Sequence, residues 1–170
     1  MKKIVMLGCE NSHVNTFLTV MQEHPDQYRD IEVIGVFSED GAAMQQVADA
    51  FDVPVMRSYD EAVGIADGIV VTARHGGKHY PYAKPYIASG IPMFIDKPIT
   101  VDEQQALDFM RECRRAGVRL TGGSCCKYAK EIAYSCHNNG FSCADSPCGN
   151  TCSYCIRCIC PTVNQNYAKR

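Results

Sequence analysis

The sequence predicts an α/β fold, a Rossmann-type doubly wound parallel sheet, from three observations. Short β-branched runs alternate with stretches of helical period from residue 1 to about 132. The connections between them are a few residues long, which is the βαβ pattern of a parallel sheet covered on both faces. One apolar run, Met93-Phe-Ile95, leads into Asp96-Lys97-Pro98. Pro98 cannot donate to a ladder, so the strand stops and Lys97 stands at its carboxyl end. In an open parallel sheet that edge is where ligands bind.

The elements follow in order. Lys3 to Leu7 is a buried strand ending at Gly8. After the polar turn Cys9-Glu-Asn-Ser-His13, the residues Val14, Phe17, Leu18 and Met21 fall at helical spacing, with Pro25 just beyond. Ile31 to Phe37 is a second strand. Ser38-Glu-Asp-Gly41 offers helix caps, and Ala43, Val47, Ala48 and Phe51 continue as an amphipathic helix. Val53 to Met56 reads as a third strand, Asp60 to Ala66 as a turn or two of helix, and Gly68 to Thr72 as a fourth strand. A helix is expected from about Tyr80 to Ser89, capped by Gly90, with Pro85 forcing a kink or a late start. Pro92 to Ile95 is the fifth strand. Thr100-Val-Asp-Glu103 has capping-box spacing before the helix of Ala106, Leu107, Met110 and Cys113, and Val118 to Thr121 is a sixth strand.

Composition bounds the function. The chain of 170 residues is 46% hydrophobic and 21% charged, with a net charge of −2, as in ordinary soluble domains. No basic stripe suggests a nucleic-acid partner. No apolar run is long enough for a membrane span, and Ile4 to Leu7 is too short for a signal h-region, so a cytoplasmic protein is expected.

Four strand ends and turns carry candidate chemistry. The first turn should meet a pyrophosphate through free N–H groups at a helix start. Of the G-x-G-x-x-G pattern only Gly8 is present; Glu10 and His13 take the other two positions. Asn11, Ser12 and His13 could donate hydrogen bonds instead, and His13 could equally be a solvated helix-start residue. An acid for the adenosine ribose is expected after the second strand. Glu39 is the better candidate, while Ser38 sits where the acid is often found; Ser38 and Asp40 could instead simply cap the next helix. After the fourth strand, Thr72-Ala-Arg-His-Gly-Gly-Lys-His79 brings two glycines for close backbone approach. His79 either starts the helix beside the cofactor or is an exposed histidine. Lys97 is either a catalytic cation or proton donor or a solvated lysine before a turn.

Residues 1 to about 132 resemble the amino-terminal half of the glucose–fructose oxidoreductase/inositol dehydrogenase (Gfo/Idh/MocA) family. Asp96-Lys97-Pro98 matches the family's Glu-Lys-Pro motif with a conservative acid change, Asp67 to Thr72 with His79 matches its fourth strand and next helix start, and Tyr59-Asp-Glu-Ala62 matches the segment before. The resemblance implies NAD or NADP as cofactor and hydride transfer with a sugar- or polyol-type substrate. It implies that Lys97 assists proton transfer, and that Gly8, Ser12, His13, Ser38, Glu39, Thr72, His79, Asp96, Lys97 and Pro98 lie along the cofactor. No metal ligands are implied. Family members continue into an α+β substrate domain that this chain is expected to lack, leaving it weakly active or inactive alone. Self-association through exposed apolar surface near Val118 to Cys126 is expected, as a homo-oligomer or a poorly soluble product.

From Ala133 to Arg170 the composition changes: there is no leucine, methionine or glutamate, and Asp145 is the only acid. Seven of the eleven cysteines lie between Cys136 and Cys160. The division expected is a Rossmann-like domain over 1–132 and an irregular Cys-rich tail over 133–170. A shifted reading frame after about Ile132 is the favoured explanation. Cys152-x-x-Cys155-x-x-Cys158-x-Cys160 invites a metal module, but its spacing suits neither a ferredoxin run nor a paired zinc site. A non-catalytic ligand- or protein-binding module is the alternative reading of the chain as a whole.

Overall fold

The computed structural model describes residues 1–123. Five strands form one parallel sheet: β1 (Lys2–Leu7), β2 (Ile31–Phe37), β3 (Gly68–Val71), β4 (Met93–Ile95) and β5 (Leu120–Gly122). Their order is β2-β1-β3-β4-β5. Between them run α1 (Ser12–Glu23), the short α2 (Pro25–Tyr28), α3 (Gly41–Phe51), a 3₁₀ turn at Gly76–Lys78, α4 (His79–Ile87) and α5 (Glu103–Arg115).

Alternation within β1 shows why the sheet needs helices on both faces. Val5 and Leu7 join one apolar cluster with Ile69, Val71, Tyr82, Tyr86, Ile95 and Phe109. Met6, between them, joins a second with Val14, Leu18, Val36, Val47 and Ala48. Successive side chains of a strand point to opposite faces, so α4 and α5 cover one side and α1 and α3 the other. The chain order reverses between β1 and β3, and the crevice above that reversal is the expected ligand position of a doubly wound sheet.

Four expectations from spacing are corrected or resolved. Val53 to Met56 is not a full strand: it makes one isolated parallel bridge, Val36 to Val55. Val36 N donates to Pro54 O at 2.9 Å and Met56 N to Val36 O at 2.9 Å. Pro54 has no N–H to extend the ladder, which keeps this edge short. The Met56 side chain fills the space beside Gly35, where a Cβ would meet its Cγ at 2.6 Å. With that bridge counted at the edge, the order is the 3-2-1-4-5-6 of a dinucleotide fold. Asp60 to Ala66 forms turns rather than helix. The start of α5 is capped by Asp102, whose Oδ1 accepts from Gln105 N at 2.6 Å, not by Thr100. Thr100 instead bonds the Gln105 side chain. Finally, of the kink or late start expected from Pro85, the late start is excluded: α4 runs through Pro85.

No helix among the described residues is long and apolar enough to cross a membrane. The anticipated domain limit at 132, the Cys-rich tail and Cys125 and Cys126 lie outside the described residues.

Burial makes two cysteines inert. Desolvation pushes the Cys9 thiol up to about 12, with the Glu10 charge adding to it, and desolvation pushes Cys113 up to about 11. Only the thiolate reacts appreciably. Iodoacetamide at pH 8 should therefore leave the Cys9 and Cys113 peptides unlabelled in the folded chain and label both in urea, as read by mass spectrometry; labelling of Cys9 before unfolding would contradict the burial. Gly8 has φ +87°, and a Cβ there would stand 2.3 Å from Ala73 N and Cα. Gly8→Ala should cost about 2–4 kcal/mol in urea denaturation, while Gly41→Ala, with nothing within 4 Å, should stay close to neutral.

Candidate active site in the crevice above the sheet

The buried polar side chains of the described residues sit at one edge of the sheet. Ser38, Thr72, His79, Asp96 and Thr100 are each no more than 5% exposed, and each follows or adjoins the carboxyl end of a strand. Burying such groups is unfavourable unless they are bonded, and every buried side-chain N or O among the described residues has a partner.

The first turn is clamped to the neighbouring strand ends. Gly8 N and Cys9 N both donate to Phe37 O, at 2.7 and 3.2 Å. Thr72 Oγ1 donates to Gly8 O at 3.1 Å. At the start of α1, Asn11 is the cap and its Oδ1 accepts from His13 N at 3.3 Å. The N–H groups of Glu10, Asn11 and Ser12 find no acceptor among the described residues, as expected of a helix start that is open to an anion.

Glu10, the acid in place of the second glycine, points away from those donors. Its Oε2 accepts from Ser38 Oγ at 2.7 Å and its Oε1 from Arg74 N at 3.0 Å. Arg74 Nη2 donates to Glu10 O at 3.0 Å. The carboxylate thus bridges the ends of β2 and β3 instead of confronting the helix start. The other acids after β2 are engaged elsewhere. Both Glu39 oxygens lie 2.8 Å from Lys78 Nζ, and this partner holds the Glu39 carboxyl below its usual range. Asp40 Oδ1 caps α3 through Ala43 N at 3.0 Å. Beneath them Phe37, Tyr59 and Tyr82 pack ring on ring. Burial, reinforced by the Glu39 and Glu10 charges, raises the Tyr82 hydroxyl far above its ordinary value.

At the end of β4 the buried Asp96 gathers three groups. Its Oδ2 lies 2.5 Å from His13 Nδ1 and 3.9 Å from Lys97 Nζ, and its Oδ1 accepts from Lys97 N at 2.8 Å. His13 and Lys97 are both a little over a third exposed on their side chains, so they face the crevice while Asp96 lies behind them. The Lys97–Pro98 peptide is cis.

His79 begins α4, as one of its two readings required, but it is fully buried; the exposed alternative is excluded. Its Nδ1 lies 2.6 Å from Pro98 O and its Nε2 2.8 Å from Ala73 O. The ring therefore ties the β3–α4 loop to the Lys97–Pro98 turn, and both nitrogens are committed to protein. Thr72 is likewise committed, to Gly8. The structure brings Gly8, Ser12, His13, Ser38, Thr72, His79, Asp96, Lys97 and Pro98 to one edge, and directs Glu39 onto Lys78. Sequence reasoning flagged Glu10 only as a departure; its partners Ser38 and Arg74 are 28 and 64 residues away, and no local spacing announces them.

These features fit a dinucleotide. The glycine turn has no room for a Cβ, the helix start has unpaired donors, and the misplaced acid is turned aside. Among the described residues no group of three or more His, Cys, Asp or Glu is arranged to hold a metal. A separate cleft of about 310 Å³, lined by Leu18, Met21, Arg29, Phe51 and Asp52 among others, shares no residue with this crevice.

Comparison with known proteins agrees with the geometry. The family model described as an oxidoreductase family with an NAD-binding Rossmann fold, Gfo/Idh/MocA, matches residues 2–124. A protein named as a UDP-kanosamine synthase oxidoreductase subunit, from Amycolatopsis mediterranei (strain S699), is 24% identical over 116 residues, 68% of this chain and 31% of its own. The WlbA dehydrogenase of Chromobacterium violaceum, solved with NADH and UDP-GlcNAcA, superposes with a TM-score of 0.62 at 19% identity over 71% of this chain and 34% of its own. Biliverdin reductase of Synechocystis sp. PCC 6803, solved with biliverdin and NADP+, superposes with a TM-score of 0.66 at 14% identity over 80% of this chain and 42% of its own. At these identities the structural likeness shows the fold. The chain spans about a third of the length of the curated relative it matches. By the family match over most of its length, the chain belongs to the Gfo/Idh/MocA oxidoreductases, and residues 2–124 are their NAD-binding Rossmann domain.

Proposed function

We propose that this chain supplies the cofactor-binding half of a dehydrogenase that moves hydride between a nicotinamide dinucleotide and a sugar- or polyol-type substrate, with Lys97 handling the proton. The observation that carries the reading is the buried Asp96 carboxylate. It holds His13 at 2.5 Å and Lys97 Nζ at 3.9 Å where the crevice opens.

The cofactor, when bound, supplies the hydride acceptor or donor. The chain's own residues do the rest. Gly8 lets the backbone approach, and the free N–H groups from Glu10 to Ser12 receive negative charge. Ser38, Thr72, His79 and Pro98 hold the surrounding turns in register, and Glu39 engages Lys78 at the rim. Asp96 positions Lys97 so that its ammonium gives a proton to the substrate oxygen in reduction, and the neutral amine so formed takes the hydroxyl proton back in oxidation. His13 restrains the same carboxylate through the Oδ2 oxygen that also faces Lys97.

The UDP-GlcNAcA bound by one fold neighbour and the name of the kanosamine-type relative both support a sugar-class substrate. The division into a Rossmann unit over 1–132 and a distinct segment over 133–170 belongs to the same reading and rests on the composition change. So does a cytoplasmic location, with a small molecule rather than nucleic acid as partner and self-association of the chain.

Two measurements check this. Titration of NADH and NADPH fluorescence should show saturable binding of at least one cofactor below the millimolar range; failure of both to saturate there would contradict the reading. Where a screen of sugars and polyols yields turnover, Lys97→Met should lower kcat by roughly 10²–10⁴-fold with cofactor affinity nearly unchanged. An undiminished kcat would remove Lys97 from proton transfer.

A further inference from the structure

We infer that Glu10, reaching over from the first turn, reads the adenosine ribose and selects NAD over NADP. This rests on the cofactor reading above and names the determinant within that site. In a dinucleotide fold the acid that accepts the ribose 2′-hydroxyl normally stands at the end of the second strand. Here that position is Ser38, whose side chain carries no charge. Ser38 is only 4% exposed, and its Oγ donates to Glu10 Oε2 at 2.7 Å while accepting from Asp40 N at 3.1 Å. The serine therefore holds another residue's carboxylate beside its own position.

Elimination among the neighbouring acids leads to the same residue. Glu39 has both oxygens on Lys78 Nζ. Asp40 caps α3. Glu10 makes one contact on each oxygen, with Ser38 Oγ and Arg74 N. A carboxylate has about four acceptor sites, so each oxygen of Glu10 retains capacity for a hydroxyl. Two bonded donors from different strand ends also keep the group from rotating, so little ordering remains to be done when the ribose arrives.

The charge balance gives the direction of selection. A ribose hydroxyl donates to a carboxylate, whereas a 2′-phosphate brings like charge against it and offers no matching donor. Two cations stand near. Lys78 is paired with Glu39, and the Arg74 guanidinium donates to the Glu10 backbone oxygen. Neither pairs with the Glu10 carboxylate through its side chain among the described contacts, so its charge stays available to reject phosphate.

The test is equilibrium binding of NADH and NADPH to the full chain, by fluorescence and calorimetry, for wild type, Glu10→Gln and Glu39→Gln. Gln keeps the length and shape of Glu10 and removes its charge. Wild type should bind NADH at least about tenfold more tightly than NADPH, and Glu10→Gln should shrink that ratio by about tenfold. Glu39→Gln, which also releases Lys78 from its partner, should shrink the ratio less than Glu10→Gln does, and thermal melting should show both variants folded. A ratio unmoved by Glu10→Gln overturns the inference while leaving the cofactor reading intact, as does a ratio that collapses only in Glu39→Gln. A wild-type preference for NADPH also overturns it and transfers the role to Arg74 and Lys78. Absence of binding by both cofactors removes the cofactor reading, and this inference with it.

Discussion

At Gly8 the first turn passes so close to the end of β3 that a Cβ would stand 2.3 Å from the Ala73 backbone. Everything at the functional edge follows from that approach. It lets Thr72 Oγ1 reach Gly8 O, brings Arg74 N to Glu10 Oε1, and places His13 Nδ1 2.5 Å from Asp96 Oδ2, just past the end of β4. A side chain at position 8 would separate β1 from β3 where the strand order reverses. The crevice would then lose both its floor and the alignment of its walls.

The polar groups at this edge form a frame in which each buried member is fixed by backbone or by another buried member. His79 links two loop carbonyls 25 residues apart, Ala73 and Pro98. Asp96 links the first turn to the last strand end of the crevice. Such groups are unfavourable in an interior unless fully bonded, so their concentration at one rim, above a core of Val, Leu, Ile, Met and aromatic residues, separates two tasks. The lower part of the sheet supplies stability; the upper edge supplies a preorganised polar surface with Lys97, His13 and the α1 N–H groups left facing outward.

Much of this was legible in the sequence where the signal is local. Five strands and the main helices follow from apolar period and turn residues, and Asp96-Lys97-Pro98 announces its place through Pro98. What failed was settled either by a competing neighbour a residue or two away or by a partner far along the chain. Val53 to Met56 has strand composition, yet Pro54 limits it to one bridge. Thr100 has the spacing of a cap, but Asp102 lies nearer the first free N–H and takes the position. Glu39 looks like the ribose acid because it adjoins a strand end, but Lys78, 39 residues on, engages it. Glu10 looks like an obstacle to a pyrophosphate until Ser38 and Arg74 show which way it points.

The central claim is that the dinucleotide occupies the crevice framed by Gly8, Glu10, Asp96 and Lys97. Hydrogen–deuterium exchange of the chain with and without saturating NADH tests it most directly. Protection is expected in the segments 8–14, 37–40, 72–79 and 95–98, with little change elsewhere among residues 1–123. Protection confined to the separate cleft around Leu18, Met21 and Phe51, or none at the four segments while NADH is bound, would contradict it.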